Sequence, residues 1–188
     1  MSIETEELLV RRPARADARR NYDALIAAAR VGFAELGTAA PLEEIARRAN
    51  VGIATLYRNF PTREALIESV YLEEVDAVVK AASLVAQLEP WPALRAWIDR
   101  LVEYVGTKRV LVEAMNRNST TFRACRESLY EAGAPLLQRA QDAGAVRKDL
   151  GFDDLLRLVT GVTGGSFTTP EQRDRVLAIA LDGLRAVN

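Results

Sequence analysis

Apolar side chains return every three or four positions along almost the whole chain, the spacing that lines one face of an α-helix. Tyr22, Leu25, Ile26, Ala29, Phe33 and Leu36 form the first such stripe and predict a helix over 16–36. Gly37 supplies its stop, and Pro41 stands where a first-turn proline is tolerated. Leu42, Ile45, Ala46 and Ala49 predict a short second helix. Asn50, Val51 and Gly52 read as a turn, because asparagine is the non-glycine residue that best tolerates a left-handed backbone. A third helix over 53–60 carries Leu56 and Phe60 inward and ends at Pro61, which forces its predecessor out of the helical region. Thr62 caps a fourth helix, with Glu64 in its first turn. That helix holds Leu66, Ile67, Val70, Tyr71, Val75, Val78 and Val79 on one side and extends to residue 85.

The sharpest break is Glu89-Pro90-Trp91-Pro92. Beyond it, helices are predicted over 92–106, 108–117, 120–143, 152–164 and 170–187, with Gly144 closing the third and Thr169-Pro170 opening the last. Pro135 is expected to interrupt the bonding of its helix, with a kink and a cavity as one consequence. Hairpin signals and sustained two-residue alternation are missing. The expected fold is therefore all-α, with about nine helices. A three-helix helix-turn-helix head over 11–62 precedes a larger regulatory and dimerisation body over 63–188.

Composition removes several chemistries. The chain has no histidine and one cysteine, Cys125, so the usual zinc ligand sets and the Ser-His-Asp and Cys-His catalytic sets cannot form within it. No metal, cofactor or catalytic residue is expected, and the prior moves away from enzymes. No membrane span and no signal peptide are read, so a cytoplasmic location is the default. The net charge of -1 is unevenly spread. Arg11 to Arg63 contains ten arginines, no lysine and five acids, a local balance of +5. A basic block ahead of a mildly acidic remainder suits contact with a polyanion; arginines that simply solvate helix faces would give the same count.

The most informative stretch is Pro41 to Val70. A helix-turn-helix needs two short amphipathic helices around a tight turn, held rigid by an apolar inner side. Ile45, Ala46, Ala49, Val51, Leu56 and Phe60 supply that side, and the small Ala46 lets the helices approach. Ile53, Ala54, Thr55, Tyr57, Arg58 and Asn59 are left on the outer face. Arg58 can pair with guanine through two hydrogen bonds, and Ile53 and Ala54 can touch thymine methyls. Thr55, Tyr57 and Asn59 can donate to phosphates, and Arg63 adds charge at the next helix start.

Ile45-Ala46, the Asn50-Val51-Gly52 turn, Thr55-Leu56-Tyr57, Arg58-Asn59, Phe60, Arg63 and Leu66 together resemble the signature of the TetR (tetracycline repressor) family. The resemblance covers about residues 16–75 and implies sequence-specific binding of double-stranded DNA through helix 53–60. It also implies phosphate contacts from Arg19 and Arg20, with Arg47 and Arg48 equally readable as a solvated face. Arg11, Arg12 and Arg15 are either a groove-following arm or a tail. The sequence departs from the family where Asn50 replaces a turn glycine, Gly52 a capping serine, and Asn59 a histidine; Ala40 and Pro41 stand where a capping threonine is common.

Residues 140–155 are similar to the helix end and turn that precede the last two helices of many family members. The resemblance implies a homodimer through helices near 153–164 and 170–187, reading a palindromic operator. It also implies a small-molecule pocket, for which Trp97, Leu101, Tyr104, Met115, Phe122, Cys125 and Tyr130 are the candidates. An apolar or aromatic effector fits such a lining, and core packing is the competing reading for each residue. The implied function is a ligand-responsive repressor. Activation in place of repression, a protein-partner-sensing module, and a helical enzyme with a DNA-binding-like head stay open.

Overall fold

The computed structural model describes residues 12–113 and 120–186. Its eight helices are α1 (Ala16–Leu36), α2 (Leu42–Arg48), α3 (Ile53–Asn59), α4 (Arg63–Leu84), α5 (Pro90–Glu113), α6 (Thr120–Asp142), α7 (Phe152–Thr163) and α8 (Pro170–Asp182). The chain is all-α, as its periodicity predicts; the one extended pairing among the described residues is a single antiparallel bridge, Val146 with Arg185. Residues divide into two compact units. The first comprises Met1–Glu74 with Thr107–Cys125, the second Val75–Gly106 with Arg126–Asn188.

In the first unit, α1 buries Tyr22, Leu25, Ile26, Ala29 and Phe33. Leu36, expected to complete that stripe, is instead 53% exposed in the helix's last turn. Gly32 is buried in its place: a Cβ there would lie 3.3 Å from Ile45 Cγ1, so the missing side chain lets α2 seat closely on α1. Gly37 takes φ 72 and sends its N–H to Phe33 O, which ends the helix. The turn after α2 works as its sequence suggests. Asn50 takes φ 53, its N–H donates to Arg47 O, and the Val51 N–H donates to Ala46 O, a Schellman closure with asparagine at the left-handed position. Thr62 caps α4 by accepting from the Ala65 N–H at 3.1 Å.

The second unit is organised around an aromatic stack. Trp97 and Tyr130 both rest on Phe152, with centroids 5.8 Å and 4.9 Å away. The Trp97 indole N–H donates to Val78 O at 3.1 Å, which satisfies the one polar atom of a fully buried ring. Gly133 of α6 leaves the space for this stack, since a Cβ there would sit 2.4 Å from both Trp97 and Phe152. At the start of α7, Asp153 accepts from Tyr130 Oη at 2.5 Å, Arg126 at 2.9 Å and Arg157 at 2.6 Å. The Tyr130 and Arg157 hydrogen bonds hold its carboxyl below the ordinary range.

Two expected boundaries differ. The segments 92–106 and 108–117 are joined in α5, because Gly106 is exposed, has open space at its missing Cβ, and costs a helix interior only about 1 kcal/mol. The last helix ends at Asp182, not at 187. Gly183 follows, and the chain then pairs with the turn after α6: Arg147 N–H donates to Leu184 O and Ala186 N–H to Ala145 O. Leu184 is thereby buried as part of this return and not as part of the α8 stripe.

Gly133→Ala is expected to destabilise the second unit by about 1–3 kcal/mol through overpacking against Trp97 and Phe152. Urea unfolding followed by tryptophan fluorescence measures it, and an unchanged midpoint would refute the close packing assigned to Gly133.

Candidate nucleic-acid interface

A seven-residue helix has too few internal bonds to persist alone, so α3 depends on what holds its inner side. Leu56 and Phe60 are fully buried, and the Phe60 ring lies 5.1 Å from that of Tyr22 on α1. Burial raises the Tyr22 phenol above its ordinary range. This contact brings the end of α3 beside the early turns of α1.

With the inner side fixed, Ile53, Ala54, Tyr57 and Arg58 are exposed together, Ile53 by 37% and Tyr57 by 46%. Thr55 and Asn59 are half-buried. Arg58 Nη2 donates to Thr55 Oγ1 at 2.6 Å, which folds the guanidinium along its own helix. Asn59 Nδ2 donates to Thr55 O at 2.8 Å, so one of its amide protons serves the backbone. The N-terminus of α3 has no side-chain cap: Gly52 contributes only its carbonyl, which accepts from Thr55 and Leu56.

The flanking arginines divide into exposed and engaged groups. Arg19 and Arg20 are exposed in the first turns of α1, and Arg20 pairs with Asp17. Arg63 Nη1 donates to Thr38 O at 3.0 Å and Ala40 O at 2.5 Å, tying the α1–α2 loop to the start of α4. Arg12 grips Asp23 with two hydrogen bonds of 2.8 Å and 2.6 Å, which hold that carboxyl below its usual range. Of the other two residues of the expected arm, Arg15 is exposed and Arg11 lies outside the described residues. Arg47 and Arg48 both donate to Glu44, and Arg48 also to Glu35. The two arginines pull Glu44 down to about 2, so it stays ionised and offsets their charge. Sequence reasoning did not single out Glu44, although its spacing of three and four residues from two arginines is a legible helix-surface signal.

The seven residues expected to line a pocket fall in both units. Trp97, Leu101 and Tyr104 are buried in the second unit, where Tyr130 is half-buried. Cys125 is buried in the first, where the half-buried Phe122 stacks on Tyr71 at 6.0 Å. Met115 lies outside the described residues. None of them lines the open groove of about 540 Å³ between α4 and α6, whose walls include Val79, Ala82, Ser83, Ala132 and Pro135. The sequence flagged Pro135 as a place where a cavity could open, but gave no sign of the small residues facing it. Among the described residues no cluster of His, Cys, Asp or Glu could hold a metal, and no helix is long and apolar enough to cross a membrane.

Comparison with known proteins agrees with this geometry. Residues 25–70 match the model of bacterial regulatory proteins of the tetR family, and residues 89–186 match that of the C-terminal domain of SbtR-like transcriptional regulators. A TetR transcriptional regulator of Streptomyces coelicolor is 37% identical, with 88% of this chain and 99% of that one covered, at a TM-score of 0.76. A TetR transcription regulatory protein of Mycobacterium vanbaalenii is 31% identical, with 92% and 99% covered, at a TM-score of 0.74. A transcriptional regulator of Rhodococcus, at 18% identity, 89% and 97% coverage and TM-score 0.66, shares the fold. No curated protein matches the chain in sequence.

Glu44→Gln is expected to free Arg47 and to leave Arg48 only its Glu35 contact, and so to tighten binding to random-sequence duplex DNA. The plot of log K against log salt should steepen by about 0.9 for each phosphate newly contacted. A salt slope equal to that of the unsubstituted chain would show that these arginines face away from the duplex.

Proposed function

Because the chain belongs to the TetR family of bacterial regulatory proteins, a family of DNA-binding transcriptional regulators, we propose that it is a homodimeric, ligand-responsive repressor of a palindromic operator. The observation that carries the DNA-reading part is the outer face of α3. Ile53, Ala54, Tyr57 and Arg58 are exposed on a helix whose other side is locked by Leu56 and Phe60. Arg58 reads a guanine after exchanging its Thr55 contact for the base edge, and Ile53 and Ala54 meet thymine methyls. Tyr57, Thr55 and the remaining Asn59 proton contact phosphates, as do Arg19 and Arg20. Arg63 acts chiefly by holding the Thr38–Ala40 loop, with its remaining donors directed to the backbone of the duplex. The protein works by binding, not by catalysis.

Dimerisation is supported by α7 and α8, which pack on each other and leave Val176 38% and Ile179 72% exposed. Apolar side chains left in water on paired helices favour burial against a second copy. A twofold dimer places two recognition helices on successive half-sites. The effector reading is supported by the groove between α4 and α6, whose volume suits a small molecule. Val79, Ala82 and Ser83 of α4 line this groove. The effector shifts the equilibrium only by binding the released state more tightly.

Selection of bound sequences from a random duplex pool at fixed salt is expected to recover a palindrome. Arg58→Ala should then cost about 1–3 kcal/mol and relax preference at one base of each half-site. Absence of any enriched sequence would overturn the DNA-reading assignment, and an Arg58→Ala variant with unchanged base preference would overturn the recognition face. Ile179→Glu is expected to shift the chain from dimer to monomer in sedimentation; a dimer that survives it would remove α8 from the interface.

A further inference from the structure

We propose that the groove between α4 and α6 takes an amphipathic cation, a small apolar molecule with one ammonium-type head, and that the turn of α6 around Glu131 holds the head. The inference rests on the reading of this groove as the effector site and names the class of molecule that it takes. Every residue that lines the groove belongs to the second unit.

The walls define the body of the ligand. Val79 and Ala82 of α4 stand opposite Ala132, Pro135 and Leu136 of α6 across about 540 Å³. Small side chains on both helices leave this room, and none of the lining residues is aromatic. An apolar body laid between these walls is removed from water on two sides.

The polar groups define the head. Two charged residues line the groove, and they differ in what they already hold. Arg139 donates from Nη1 to Ala86 O at 2.8 Å and from Nη2 to Leu88 O, so its guanidinium is engaged by carbonyls that follow α4. Glu131 is exposed and has neither an ion pair nor a hydrogen bond among the described residues. Pro135 adds a second acceptor. A proline inside a helix has no N–H for the carbonyl four residues earlier, here that of Glu131 itself. Residues four apart share a helix face, and both line the groove, so the freed oxygen stands on the groove side. The Ser128 hydroxyl, three residues before Glu131, is a third acceptor. Carboxylate, carbonyl and hydroxyl oxygens around one turn of α6 suit a head that donates hydrogen bonds and carries positive charge. A carboxylate head would meet Glu131 as a like charge. Lys80, next to Val79 on α4, is paired with Asp76.

Arg139 orients the ligand. It follows Glu131 by eight residues, about 12 Å along α6. Its charge keeps a cation from that end, so the head lies at Glu131 and the apolar body extends toward Arg139. The open form of the groove suits this pairing, because an exposed carboxylate and a partly hydrated ammonium meet without burying either charge.

The test uses the full chain and three compounds that share a phenylbutyl body and differ in head: phenylbutylamine, phenylbutanol and phenylbutyrate. Each is titrated at neutral pH and low salt by ligand-observed NMR. The amine is expected to bind tightest, about tenfold tighter than phenylbutyrate. Glu131→Gln should weaken the amine by about threefold to fivefold, the range of one exposed ion pair, and leave the alcohol unchanged. Ala132→Phe, which fills the groove, should weaken all three by about tenfold or more. If circular dichroism shows that variant unfolded, Ser83→Phe on the exposed side of the opposite wall is read in its place. Amine binding that Glu131→Gln leaves unchanged overturns the proposal, as does an alcohol or butyrate that binds as tightly as the amine. Where Ala132→Phe still abolishes such binding, the groove stays an effector site and only the cation assignment falls. Amine binding that survives the filled groove overturns the proposal by placing the compound elsewhere. Failure of all three compounds to bind overturns the effector reading of the groove and this proposal with it.

Discussion

The burial of Leu56 and Phe60 is the contact on which the proposed recognition surface depends. A helix of seven residues leaves most of its terminal N–H and C=O groups without intrahelical partners, so its conformation is borrowed from its neighbours. Tyr22 packs on Phe60, Gly32 lets Ile45 of α2 seat closely on α1, and the left-handed Asn50 sets the turn between α2 and α3. The outer residues gain function from this immobility.

Charge in the head is managed locally, and the count of arginines overstates the field that a polyanion would meet. Arg12, Arg20, Arg47 and Arg48 each have an acidic partner, and Arg63 is turned onto backbone carbonyls. Exposed pairs of this kind contribute little to stability. In the proposed function these pairs leave a small part of the basic block available to a phosphate backbone. Specific regulators benefit from that restraint, because competing nonspecific sites are numerous.

The second unit solves a different problem, the fitting of large rings among helices. Trp97, Tyr130 and Phe152 share one cluster because Gly133 offers no side chain, and the polar ends of two of the rings are satisfied by Val78 O and Asp153. The same Asp153 contacts anchor the first turn of α7 to α6. Packing that is exact in shape and also hydrogen-bonded resists deformation, so a core of this kind passes on a displacement more readily than it absorbs one.

The amino-acid sequence alone determined the all-helical class, most of the helices with several of their starts and stops, and the short helix α3 of the helix-turn-helix. Those signals are local: a three-to-four-residue stripe, Gly37 and Asn50 at positions of positive φ, Thr62 and Thr169 at helix starts, and a short motif around Thr55-Leu56-Tyr57. Tertiary structure decided what depends on distant partners. Leu36 continues the stripe of α1 yet faces water, and helix 170–187 was shortened by backbone bonds to residues 145–147. Trp97 and Tyr130 meet on Phe152, and Gly133 leaves the room for that contact; Arg30 and Glu74, 44 positions apart, form an ion pair that no spacing rule could announce. Periodicity records which side of a helix is apolar, but which neighbour that side meets is set by the three-dimensional course of the chain.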